Sequence, residues 1–91
     1  MSPVCAHIIV SGYVQGVGYR YYAVDNAVIF DVKGYVKNLP GGNVEVVAEG
    51  DKEMVESFIE KLKRGPYSAT VSDVKVEWST YDGSYTDFRI R

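Results

Sequence analysis

The chain has 91 residues, 46% of them hydrophobic, and a formal net charge of −2 at pH 7. That length accommodates one domain over residues 1–91 with a single core, and the apolar share argues against disorder. The slightly acidic balance removes any general attraction to nucleic acid or to an acidic membrane, so anion binding here has to be local.

A first strand is predicted over about residues 4–11. It carries Cys5 and His7, the only Cys and His of the chain. One cysteine excludes an internal disulfide and points to the cytoplasm. A zinc site wants three or four ligands, so no metal is expected, and Cys5 reads as a packed thiol beside an ordinary strand histidine. No apolar run is long enough to span a bilayer and the first residues lack a basic-then-apolar signal pattern, so no membrane partner is expected.

The segment Gly12-Tyr13-Val14-Gln15-Gly16-Val17-Gly18-Tyr19-Arg20 leads from this strand into a helix predicted over about residues 19–30. A glycine-punctuated turn entering a helix leaves several backbone N–H groups without intrahelical partners, all facing one concavity. The helix dipole adds partial positive charge there, and Arg20 adds a full charge in a rigid fork. The result is an anion socket suited to phosphate. Neither standard phosphate motif is present: the P-loop needs Gly-Lys-Ser/Thr, and the dinucleotide fingerprint needs a third glycine at its own spacing. The helix itself is ambiguous, because Ala27-Val28-Ile29-Phe30 is apolar and β-branched enough for a strand. Element order decides for a helix.

A second strand is predicted over residues 33–39, and Pro40-Gly41-Gly42 turns it into a third over 43–49. A second helix follows, with Asp51 as N-cap and Met54, Val55, Phe58, Ile59 and Leu62 as its apolar stripe. Lys61, Lys63 and Arg64 complement its dipole, and Gly65-Pro66 stops it. The fourth strand, residues 72–79, alternates Val74, Val76 and Trp78 against Lys75 and Glu77, and a short fifth covers 86–90.

This order, βαββαβ plus a short edge strand, is the split βαβ pattern of the ferredoxin-like α+β fold: an antiparallel sheet with two helices on one face. Strands one and two then run in the same direction with strand three between them. Their C-terminal ends emerge at the same edge, about 10 Å apart at the usual ~4.8 Å spacing. Asn38, closing strand two, should therefore face the Gly16–Arg20 socket.

Together, Gly12-x-Val14-Gln15-Gly16-Val17-Gly18-Tyr19-Arg20, then Lys33-Gly34-Tyr35-Val36-Lys37-Asn38-Leu39 and Gly42-x-Val44-Glu45, resemble the acylphosphatase family. The interval from Arg to Asn, 38 − 20 = 18, also fits that family, as do Gly50, Gly65-Pro66 and Val71. The resemblance covers about residues 4–91. It implies hydrolysis of small acyl phosphates, mixed carboxyl–phosphate anhydrides, without metal, cofactor or covalent intermediate. Carried over, Arg20 clamps the phosphoryl oxygens, and the backbone N–H groups of Gln15, Gly16, Val17, Gly18, Tyr19 and Arg20 complete the cradle. Asn38 orients the attacking water. The Gln15 side chain is assigned a structural role, and most of Tyr13, Tyr19, Tyr21 and Tyr22, which crowd the site, are assigned to packing.

Three departures from the family pattern are expected to matter for stability and assembly. Tyr19 stands at a usual Phe and needs a partner for its hydroxyl if buried. Asp31 stands at a usual Gly after the first helix; Asp adopts a left-handed backbone less easily than Gly, so some strain or a shifted helix end is expected. Val28 and Ile29 leave an apolar strip on that helix, so a monomer is expected with a dimer through this strip as the alternative. Two rival readings remain. Lys33-Gly34-Tyr35-Val36 faintly resembles an RNA-recognition motif, but on the wrong strand and in an acidic chain. A regulatory domain that binds phosphate without chemistry would keep the socket, yet would not need both Arg20 and Asn38.

Overall fold

The computed structural model describes residues 2–91. Alternation along β1 (Pro3–Tyr13) turns Ala6, Ile8 and Val10 inward, fully buried, while Cys5, His7 and Ile9 take the other face. This strand is flanked by β3 (Val44–Asp51) and β4 (Thr70–Ser79), both antiparallel to it. On the far side of β3 lies β2 (Lys33–Asn38), also antiparallel, and β5 (Phe88–Ile90) closes that edge. The spatial order is β4-β1-β3-β2-β5. The four long strands are antiparallel as expected. The short fifth pairs with β2 in parallel, so the sheet is mixed at one edge. Both helices lie on the inward face: α1 (Tyr19–Ile29) packs against β2 and β5, and α2 (Lys52–Arg64) against β1, β3 and β4.

The two helices meet the sheet differently. Val55, Phe58, Ile59 and Leu62 of α2 are buried and supply bulk, whereas α1 presents Ala23 and Ala27, small residues that allow close approach. Met54, expected in the α2 stripe, is 40% exposed. One residue before Val55, it sits about 100° round the helix and falls at the rim of the stripe. Asp51 occupies the N-cap position of α2 but does not bond to that helix. Its Oδ1 accepts from the Ser2 N–H at 3.0 Å, while Lys52 N–H donates to the Ser2 carbonyl at 2.9 Å, so the start of the chain takes over the capping. By register Trp78 faces the helices, opposite Ala6, yet stays 45% exposed because β4 is an edge strand.

The end of α1 answers the question posed by Asp31. The Val32 N–H reaches back to the Ala27 carbonyl at 2.9 Å and the Asp31 N–H to the Val28 carbonyl at 3.3 Å, the paired bonds of a Schellman stop. That motif needs a left-handed residue at Asp31, whose φ is 54°. The helix end stays in place and the strain is borne by an aspartate. Val28 and Ile29, at 74% and 70% exposure, form the apolar strip expected on this helix.

On the face without helices, Glu45 gathers two partners. His7 Nε2 lies 2.8 Å from its Oε2, and the Tyr35 hydroxyl donates to its Oε1 at 3.2 Å. The hydrogen bond from His7 holds the Glu45 carboxyl below its ordinary range; partial burial opposes this and the Tyr35 bond adds to it. From β4 the chain crosses to β5 at the opposite edge of the sheet. The Tyr85 ring meets Tyr35 at 6.0 Å, and the Arg91 guanidinium stacks 4.3 Å from the Tyr35 ring centre.

Two measurements follow from these contacts. Asp31→Gly relieves the left-handed strain but loses the exposed ion pair with Lys33, a net stabilisation of about 0.5–1 kcal/mol in urea unfolding. For Glu45 the folded pKa lies below its ordinary value of 4.5. Its contribution is therefore present above about pH 4.5 and lost as pH falls through the folded value. Unfolding curves should show Glu45→Gln less stable than the parent at about pH 6, with a smaller further loss on moving to about pH 3.

Candidate active site

The site begins where β1 stops being regular. Its pairing with β4 shifts between Ser11 and Gly12, and Gly12 takes φ 125° with no room for a β-carbon against the Thr70 carbonyl. This bulge re-aims the strand end. Val14, 1% exposed, then anchors the loop in the core. Gly16 and Gly18 both have positive φ, 74° and 79°, with nothing near their missing β-carbons. The backbone conformation, rather than crowding, calls for glycine here.

Gly18 is also the N-cap of α1. It offers no capping side chain, and the first turn of the helix holds no acidic residue. The helix start therefore keeps its unpaired donors and its share of positive dipole. Arg20 stands in that turn, and among the described residues it pairs with no carboxylate. Asn38 arrives from the end of β2, two strands away from β1, as the strand order requires. Among the described residues its buried Oδ1 has no hydrogen-bond donor.

These elements enclose a cavity of about 210 Å³ lined by Val14, Gly16, Gly18, Tyr19, Arg20, Tyr21 and Asn38. Five of the predicted site residues thus meet: Gly16, Gly18, Tyr19, Arg20 and Asn38. Gln15 and Val17 are not among those lining it. The Gln15 side chain turns away to the β2–β3 turn, donating to the Leu39 and Asn43 carbonyls at 2.8 Å each. Val17 packs against the core, and its carbonyl accepts from the Ser68 hydroxyl at 2.7 Å. Tyr21, read from the sequence as packing, lines the cavity and is 69% exposed. Its position in the first turn of α1, where side chains lean toward the helix N-terminus, was the available signal. A larger groove of about 520 Å³ between α2 and β4 carries Glu53, Glu56 and Glu60 against one cation, Lys63, a net negative lining that disfavours phosphate.

Tyr19 shows how the cradle is fixed to the core. Its ring is buried and its hydroxyl donates to the Leu62 carbonyl at 2.7 Å; Tyr22 does the same for Lys61. Both acceptors lie in the last turn of α2; the Lys61 carbonyl also accepts from the Gly65 N–H at 2.9 Å, whereas residue 66, whose N–H would serve the Leu62 carbonyl, is a proline with none to give. The hydroxyl expected to need a partner thus completes a neighbouring helix. Burial pushes the Tyr19 hydroxyl well above its ordinary pKa, with Tyr22 adding to the shift, so it stays a donor.

A family model described as Acylphosphatase matches residues 6–90. The acylphosphatase of Pelotomaculum thermopropionicum is 46% identical over 90 residues, 99% of this chain and 98% of its own length. The crystal structure of acylphosphatase from Bacillus subtilis superposes with a TM-score of 0.93 at 38% identity, covering 97% of this chain and 98% of that one. An acylphosphatase structure from Coxiella burnetii gives 0.91 at 41% identity, over 99% and 94% of the two chains. With the family model, the relatives and the fold in agreement, the chain belongs to the acylphosphatase family of enzymes.

Proposed function

We propose that this chain hydrolyses acyl phosphates by direct attack of water on phosphorus, with Arg20 and the loop N–H groups holding the phosphoryl group and Asn38 orienting the water. The observation that carries the reading is one cavity lined by both Arg20 and Asn38 at a helix start with neither cap nor acid. An unpaired guanidinium beside unpaired N–H groups is what three phosphoryl oxygens require.

Water attacks phosphorus as the bond to the acyl oxygen breaks. The products are a carboxylate and inorganic phosphate, and the proton released by water passes to a phosphoryl oxygen. A carboxylate is a good leaving group, so the reaction needs positioning and charge stabilisation more than a strong base. Asn38 suits the water-orienting role because its amide both donates and accepts, and its Oδ1 has no protein donor. In this reading Arg20 and the backbone supply the charge neutralisation; among the described residues there is no cluster of three or more His, Cys, Asp and Glu side chains. The substrate is a small acyl phosphate in this reading, with no cofactor.

Turnover of benzoyl phosphate in excess chelator tests it. The parent protein should be active. Asn38→Ala should lose about 10²–10³ in kcat, and Arg20→Ala more than about 10³ in kcat/KM, with both folds intact by circular dichroism. Because the fork is bidentate, Arg20→Lys should recover only a small part. An inactive parent that still binds inorganic phosphate through Arg20 would make this a phosphate-binding module instead.

A further inference from the structure

We infer that the Gln15 side chain is a positioning residue that fixes Asn38 relative to the phosphate-binding loop. This rests on the hydrolytic reading above. One amide nitrogen spends both of its hydrogens on two backbone carbonyls, Leu39 and Asn43, at 2.8 Å each. Leu39 directly follows Asn38, and Asn43 directly precedes Val44, the residue opposite Asn38 in the sheet. The same two carbonyls close the hairpin turn, accepting from Gly42 N–H at 3.3 Å and Leu39 N–H at 2.9 Å. Gln15 therefore grips the turn at its base, next to the residue that carries the water.

The need for such a strut follows from the topology. Loop and hairpin grow from β1 and β2, which are separated by β3. Among the described residues no other hydrogen bond joins residues 14–18 to residues 38–43. The loop is held independently by buried Val14 and by Ser68 on the Val17 carbonyl. Loss of the Gln15 amide should thus leave the cradle standing and free the strand end opposite it. Substrate would still bind, and the water would be misplaced; an error of ~1 Å in such geometry costs about 10²-fold in rate.

The test compares Gln15→Met, which keeps length and apolar stem, with Gln15→Glu, whose ionised carboxylate offers the two carbonyls no donor. Benzoyl phosphate turnover and competitive inhibition by inorganic phosphate are measured, together with the NMR signals of the Asn38 side-chain amide. In Gln15→Met, kcat should fall about 10–100-fold, KM and the phosphate inhibition constant should stay within about 3-fold, and the Asn38 amide signals should move. Gln15→Glu should fall at least as far. Gln15→Asn, one methylene short, should follow Gln15→Met and serves if either of the others fails to fold. Parent-like kcat in a folded variant overturns the inference, as does a loss of phosphate affinity equal to the loss of kcat, which would mark simple collapse of the loop. An inactive parent protein removes the hydrolytic reading itself and this inference with it; an active parent with unaffected Gln15 variants removes only the latter.

Discussion

The first turn of α1 is left electrically open. Gly18 supplies no cap, no acid offsets the dipole, and Arg20 adds positive charge where positive charge already accumulates. A turn of this kind is costly to hold without a ligand, and the surrounding contacts make sense as its support. Val14 is sunk in the core on one side; the Tyr19 hydroxyl is tied to α2 on the other; Ser68 holds the Val17 carbonyl. The polarity of these supports is consistent. Side chains satisfy backbone carbonyls around the loop. Donors kept in a fixed array need little reorganisation when charge arrives, which is the source of most electrostatic stabilisation in enzymes.

The sheet contributes distance and direction. A split βαβ arrangement places two parallel-running strands with a third between them, so their C-terminal ends share one edge. The loop after β1 and the end of β2 meet for that reason. The helices divide the remaining work: α2, rich in bulky residues, supplies most of the apolar burial, and α1, with alanines toward the sheet, serves as a stem for the loop. The poor amphipathicity of α1 becomes intelligible. Its first turn answers to the site and its last turn to the Schellman stop, while its outer face keeps exposed Val28 and Ile29.

Period and order were readable without coordinates. The alternation of Ala6, Ile8 and Val10, the stripe of Val55, Phe58, Ile59 and Leu62, and the pairing of Arg20 with Asn38 all follow from residue spacing once the strand order is assumed. Contacts between side chains and distant backbone were not readable. Asp51 fits the N-cap rule, but the rule cannot know that Ser2 will lie within reach. Gln15 could be recognised as structural, yet its partners are carbonyls, which every residue owns and no sequence distinguishes. The parallel pairing of β5 depends on which way the chain crosses after β4, and Tyr85 and Arg91 pack on Tyr35 there, contacts between distant residues that local propensity does not encode.

That last strand also alters what the molecule presents to its neighbours in solution. Without it, β2 would end the sheet, and the strand bearing Asn38 would offer its unpaired N–H and C=O groups to any passing chain. Three residues of β5 cover Gly34, Tyr35 and Val36, the Arg91 N–H adds a bond to the Val36 carbonyl, and the new margin is short, with Arg89 within it and Arg91 just after it. At the opposite margin β4 is long but studded with Asp73, Lys75 and Glu77. Brevity guards one border and charge guards the other, two ways by which open sheets discourage edge-to-edge aggregation. In a chain that already exposes an apolar strip on α1, this protection of its borders bears directly on its solubility.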